Sequence, residues 1–255
     1  MDSSPSLPWA YAWDRFPAAW FGGNATNWES DAQIQAIGRY SMAILGWQML
    51  ITATDWTGSL YAQLAQAAIL KRAHPGLPVF VYAGFGGASG FEENTNRAMY
   101  NPAFSDFFMQ STNGPEYSHS GCQQMGVPTN PRCTNYFWNF ANASARDFFL
   151  TKIVQPLAEA PFIDGVFFDG FDEAYTTPER KPWGRPVVNI PNCSNESGHV
   201  AAGGCELLLS GSLDVAARTA RLLNSRGKVP IFANPAYYSN VGNKKLWLDE
   251  RRLGL

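Results

Sequence analysis

The stretch IDGVFFDGFDE, Ile163 to Glu173, decides how the rest of the chain is read: a short apolar run stops abruptly at Asp169, Gly170, Asp172 and Glu173. A near-continuous apolar run of this length is the signature of a parallel strand covered on both faces. Carboxylates just past its end then occupy the carboxyl edge of the sheet, where parallel α/β barrels keep their chemistry. Asp169 is therefore expected to project from the strand tip into the mouth of the fold, with Asp172 and Glu173 following in the loop. Asp164, at the opposite end, reads as a loop or capping acid at the bottom.

Working outward from this strand, strand-like and helix-like segments alternate, which predicts a parallel sheet with crossover helices. Strands are expected at Ala10–Phe16, Ser41–Trp47, Pro78–Gly86, Tyr136–Asn142, the Asp169 run and Val229–Pro235. Helices are expected near Asp31–Tyr40, capped by Ser30 or Asp31, and over Leu60–His74, whose last turn carries Lys71, Arg72 and His74. Two more are expected over Ser144–Ala160, capped by Ser144 and kinked at Pro156, and from Glu206 to about Arg226. Gly87–Thr134 and Thr176–Gly204 read as long excursions. The fold class is α/β, a TIM-type (β/α)8 barrel in one domain over residues 1–255. Six expected strands against the eight of a full barrel leave it incomplete at its C-terminal end.

Composition narrows the partners. Net charge is −2 with acids and bases mixed along the 255 residues, so no basic stripe points to nucleic acid and no polybasic run to an anionic membrane. No apolar run is long enough to span a bilayer, and the first residues lack the apolar centre of a signal peptide. Charged residues make up only 16%, against 9 Trp, 10 Tyr and 17 Phe. Most of those aromatics belong in a core, but flat rings also stack on sugars.

The four cysteines form two close pairs, Cys122 with Cys133 and Cys193 with Cys205, each inside one loop excursion. Two local disulfides in a secreted protein are the expected reading, although four cysteines allow three connectivities. Zinc is the competitor, weakened by the absence of Cys-x-x-Cys spacing. Sequons at Asn24, Asn142, Asn192 and Asn195 point to the same glycosylated, extracellular setting.

Polar residues gather at the other expected strand ends: Asp14 and Arg15, Trp47, Tyr82, Trp138 and Asn139, then Asn234 and Tyr237. Asp, Arg and Asn hold hydroxyls and Trp supplies a stacking floor, so this set is expected to bind a carbohydrate. Cleaving a glycosidic bond needs one carboxylate at the anomeric centre and a second carboxyl group to protonate the leaving oxygen. Asp169, Asp172 and Glu173 are the catalytic candidates. No P-loop or dinucleotide fingerprint is present and no cofactor is expected.

The progression PVFVYAGFG, then YFWNFANASARDFFLTKIVQPLAEAPFIDGVFFDGFDEAY, then VPIFANPAYYSN resembles the barrel strands of glycoside hydrolase family 114 and related glycosyl-hydrolase-like barrels. The resemblance spans Pro78 to Asn240 and is most specific at Asp164–Asp169, with Phe168 in place of the usual Leu and with Asp172 and Tyr175 in the motif's tail. It implies a nucleophilic or charge-stabilising role for Asp169. It also implies a later Glu as second acid, for which Glu173, Asp249 and Glu250 stand in here, with Glu92 and Glu93 as further candidates. Two rival classes remain: a non-catalytic glycan-binding or extracellular structural barrel, and a metal-dependent hydrolase using Asp14, Asp169 and Asp172.

Overall fold

The computed structural model describes residues 16–24, 27–46, 59–90, 92–111, 114–115, 117–120, 134–171, 189–190 and 206–233. Its centre is a five-stranded parallel sheet. In chain order the first three strands are β1 (Phe16–Gly22), β2 (Tyr40–Leu45) and β3 (Val79–Gly84). Four short strands come next: β4 (Gly87–Ala88), β5 (Gln110–Ser111), β6 (Gly114–Pro115) and β7 (Tyr117–Ser120). They are followed by β8 (Thr134–Phe137), β9 (Gly165–Asp169) and β10 (Val229–Phe232). The parallel sheet has the order β1-β2-β3-β9-β10, and among the described residues it is not closed into a barrel.

Two strands differ from their expected places. The first was expected over Ala10–Phe16; residues 10–15 lie outside the described residues, and the described strand Phe16–Gly22 has its carboxyl end at Gly22 rather than Phe16. Pro17 sits inside it, where the pairing with β2 is irregular between Phe16 and Ala19 and β1 is at the edge of the sheet among the described residues. The segment Tyr136–Asn142, expected as the fourth barrel strand, supplies only β8, which lies antiparallel between β4 and β7 in a separate small sheet. There is no slot for it in the parallel sheet, because β3 pairs directly with β9, Phe80 opposite Gly165 and Gly84 opposite Asp169.

Gly165 makes that pairing possible. A Cβ there would lie 2.2 Å from Phe80 Cε1 and 2.2 Å from Val229 O, so β9 fits between β3 and β10 only without a side chain at this point. Asp164, just below, ties the three strands at their feet. Its N–H donates to Val79 O (2.7 Å), its Oδ2 accepts from Val79 N (2.7 Å) and pairs with Lys71 Nζ (2.6 Å), and its carbonyl accepts from Val229 N (2.9 Å).

The described helices are α1 (Asp31–Ile37), α2 (Ser59–Ala73), α3 (Glu93–Met99), α4 (Ala143–Phe148), α5 (Gln155–Glu159) and α6 (Glu206–Asn224), of which α1, α2 and α6 pack on strands of the sheet. Of the two N-cap candidates for α1, Ser30 takes the role in a full capping box with Gln33. Asn142 caps α4 in place of the expected Ser144, accepting from Ser144 N at 2.9 Å. Between α4 and α5 the residues Phe149–Val154 form a π-helical segment, so Pro156 is absorbed by a widened turn upstream of it. Gly87–Thr134, expected without regular structure, holds α3 and a 3-10 turn (Pro102–Phe107) besides its short strands.

The core between sheet and helices is aromatic. Phe85 meets the rings of Phe140, Phe149, Phe168, Phe171 and Phe232 at centroid distances of 5.2–6.1 Å. α6 reaches this core through a stripe of small residues, Gly211, Ser212, Ala216 and Ala220. A Cβ on Gly211 would stand 1.8 Å from Phe140 O, a backbone atom that cannot swing away. Gly211→Ala is accordingly expected to lower stability by about 3 kcal/mol or more in urea unfolding. Ser210→Ala, at an exposed position on the same helix, should change it by no more than ~0.5 kcal/mol.

Candidate active site

Residues paired directly across neighbouring strands share a face of the sheet, and alternate residues along a strand share it too. The registers Phe21↔Ile44, Ile44↔Phe80 and Tyr82↔Phe167 therefore place Phe21, Tyr82, Phe167 and Asp169 on one face, away from the helices. Their rings touch. Phe21 meets Phe167 edge-on at 5.6 Å and Tyr82 at 6.5 Å, and Tyr82 and Phe167 lie 6.3 Å apart. Phe21 is 52% exposed, so this wall keeps an apolar ring open to solvent at the carboxyl end of β1.

Asp169 ends β9 at the top of the wall and is half-buried. Tyr82 Oη donates to its Oδ2 at 3.1 Å, and Gly170 N donates to its Oδ1 at 2.9 Å. Gly170 turns the chain with φ 71°, a left-handed conformation that suits glycine and lets its N–H face back onto the carboxylate. Phe85 N donates to Asp169 O at 2.8 Å, which locks the ends of β3 and β9 together. Tyr82 is fixed in turn. β2 stops at Leu45, and the buried Gln63 of α2 supplies the acceptor that the strand no longer offers, Tyr82 N donating to Gln63 Oε1 at 2.8 Å.

The other expected site residues fall differently. Trp138 is 1% exposed and stacked on Phe140 (6.1 Å, 8°), with Phe108 at 5.0 Å and Phe149 edge-on at 5.8 Å. It is core packing, not a floor for a sugar. Asn139 is also buried, with its Nδ2 on Asp106 O at 3.1 Å, just beyond a strand that belongs to the small antiparallel sheet. The carboxyl-end placement expected for both fails with that strand. Asp14, Arg15, Trp47, Asp172, Glu173, Asn234 and Tyr237 lie outside the described residues, as do Cys122, Cys133, Cys193 and Cys205, and Asp249 and Glu250. Among the described residues no group of three or more His, Cys, Asp or Glu is arranged to hold a metal ion, and no helix is long and apolar enough to cross a membrane.

Phe21 and Phe167 join the wall without having been singled out in the sequence. Phe167 is one step from Phe168 in an apolar run, and nothing in the run says which of the two faces the helices. The signal available for Phe21 was the Gly22-Gly23 that follows it, a chain break typical of a strand's end.

Glu92 and Glu93, the alternative acids, have structural duties. Glu92 caps α3, its carboxylate accepting from Asn94 N (3.1 Å) and Thr95 N (2.5 Å). It borders a cavity of about 30 Å3, with Gly84 and Ser89 also in the lining, which is room for about one water rather than a sugar ring. Glu93 pairs with Arg97 one turn along. Desolvation pushes the Glu92 carboxyl up from its ordinary value of 4.5, outweighing the helix N–H groups that favour its anion.

The sequence matches no family model and no curated protein. Among solved structures the chain is similar to a variant of the glycoside hydrolase domain of PelA from Pseudomonas aeruginosa, at 13% identity and TM-score 0.45, over 85% of this chain and 59% of that one. It is also similar to the alpha-galactosidase TtGalA from Thermus thermophilus (12%, TM-score 0.44, 86% and 38%) and an alpha-amylase from Lactobacillus plantarum (9%, TM-score 0.42, 84% and 44%). This chain spans less than two thirds of the length of each. Likeness at this level carries nothing about activity or substrate.

The direction of the Glu92 shift sets a pH dependence. Its folded-state pKa lies above the unfolded one, so its favourable contribution is full below the unfolded value and is lost as pH rises through the folded value. Glu92→Gln has no proton to lose. The melting temperature of the variant relative to the parent protein is expected to climb as pH rises above the ordinary carboxylate value of 4.5, measured by thermal unfolding at stepped pH, whereas a merely structural role predicts a constant offset.

Proposed function

We propose that the protein is a glycoside-hydrolase-like enzyme that acts on a polysaccharide, with Asp169 as the carboxylate at the reacting centre. One observation supports this reading above the rest: a strand-end carboxylate held by two donors, Tyr82 Oη and Gly170 N, beside an aromatic wall of which Phe21 is half open to solvent. A pyranose offers two surfaces, an apolar face of C–H bonds that packs on rings and a rim of hydroxyls, and the wall and the carboxylate suit one each.

In the proposed reaction Asp169 stabilises or attacks the positively charged anomeric carbon as the glycosidic bond breaks, while a second carboxyl group gives its proton to the leaving oxygen. Asp172 and Glu173 are proposed for that second role, since they follow Asp169 by three and four residues. Tyr82 positions Asp169 through its hydroxyl. The same reading places the protein outside the cell, on the strength of its cysteine pairs and sequons.

Two variants test the assignment with a panel of polysaccharides assayed for released reducing ends. Asp169→Asn keeps the side chain's shape and loses its charge, so turnover should fall by on the order of a thousandfold while folding and sugar binding persist. Tyr82→Phe removes one donor to the carboxylate and should cost about ten- to a hundredfold in kcat with little change in KM. Sugar binding by the parent protein with no release at all would decide for a non-catalytic glycan-binding protein.

A further inference from the structure

The strand that presents Phe21 to the open face presents its neighbour Trp20 to the opposite one, where α1 packs. Between β1 and α1 lies a second cavity, of about 430 Å3 and bounded by Trp20, Gly22, Asn24, Glu29, Gln33 and Tyr40 among others. That volume is within the roughly 300–1,000 Å3 of ordinary small-molecule sites. Gly22 shapes its floor, because a Cβ there would stand 2.9 Å from Trp20 Cζ2 and push the indole off the backbone it lies against.

Glu29 is the unusual member. It is 7% exposed, yet its carboxylate makes no hydrogen bond or ion pair with any described residue; only its backbone N–H is engaged, on Gln66 Oε1 at 3.1 Å. Burial alone pushes the carboxyl up from its ordinary value. Gln33 turns its amide oxygen to the α1 cap, where it accepts from Ser30 N (2.8 Å) and Ser30 Oγ (2.7 Å), and no hydrogen bond joins it to the Glu29 carboxylate. No Lys, Arg or His is among the described residues lining the cavity. The carboxylate faces the open cavity with no counter-charge among the described lining residues, an arrangement that favours a cation beside it.

We propose that this cavity binds a small organic ammonium ion, its nitrogen on the Glu29 carboxylate and its carbon skeleton against the Trp20 indole. The ammonium donates charge-assisted hydrogen bonds to the carboxylate, and the indole face attracts the cation while covering its apolar part. A neutral polyol would satisfy the oxygens without offsetting the charge. A divalent metal would need more oxygen ligands than a lone carboxylate supplies. The site is independent of the Asp169 assignment, because it uses the other face of the sheet.

The test is calorimetric titration of the full chain with cyclohexylammonium chloride, with cyclohexanol as the neutral counterpart and sodium chloride at matched ionic strength. Cyclohexylammonium should bind at one site per chain, at least about tenfold more tightly than cyclohexanol. Glu29→Gln keeps the shape and removes the buried charge, and should bring the two probes level. Ala36→Phe, which fills the cavity from the exposed side of α1, should abolish binding of both and decides the matter if Glu29→Gln does not fold. Equal affinity for the two probes in the parent protein, or cyclohexylammonium binding that survives Ala36→Phe, overturns the proposal.

Discussion

Everything described in this structure depends on how tightly β9 sits between β3 and β10. Gly165 removes the one side chain that would hold the strands apart, and Asp164 gathers the feet of all three through two backbone bonds, a carboxylate bond and the Lys71 pair. Lys228 closes the same region from β10's side. It is buried, its Nζ donates to Ala160 O (2.5 Å) and Ile163 O (2.7 Å), and desolvation pulls its pKa down, with the Asp164 charge opposing that shift. The base of the sheet is thus a charged, hydrogen-bonded clasp. Of its charged members only Lys228 is buried, so Lys228 depends most on the carbonyls that receive it.

The consequence at the other end of β9 is positional. With the feet fixed and the register set at Phe80↔Gly165, Asp169 has to arrive level with Gly84, diagonal to Tyr82. The Tyr82–Asp169 hydrogen bond is therefore a product of strand register, and Gln63 supports it by satisfying Tyr82 N where β2 has run out. A group held through its backbone in this way loses little conformational freedom when a ligand arrives. Preorganisation comes from the register of the sheet.

The two faces of the sheet divide the aromatic residues by task. On the helix side, Phe85, Phe140, Phe149, Phe168 and Trp138 fill a close-packed core in which most rings meet edge-on or tilted while Trp138 stacks on Phe140. On the open side, Phe21, Tyr82 and Phe167 form a smaller cluster that keeps solvent contact. Because adjacent strand residues point opposite ways, β1 sends Phe21 to the aromatic wall and Trp20 to the cavity beside α1.

The sequence by itself determined the parallel α/β class, the position of β9 and its ending at Asp169, and the long helices α2 and α6, because apolar runs and helical periodicity are local properties of the chain. It also marked Tyr82 and Asp169 as strand-end groups, and Ser30 as a cap, since those depend on immediate neighbours. Only the tertiary structure decided that Tyr136–Phe137 leaves the parallel sheet, that Trp138 is core, and that Phe21 and Phe167 join Asp169 while Phe168 faces the helices. These outcomes depend on which strands are neighbours and in what register, and a collision 2.2 Å from a missing Cβ at Gly165 is set by Phe80 and Val229, residues 85 and 64 positions away in the chain. The same holds for Glu29, whose low exposure without a side-chain partner among the described residues leaves no trace in the order of the residues around it.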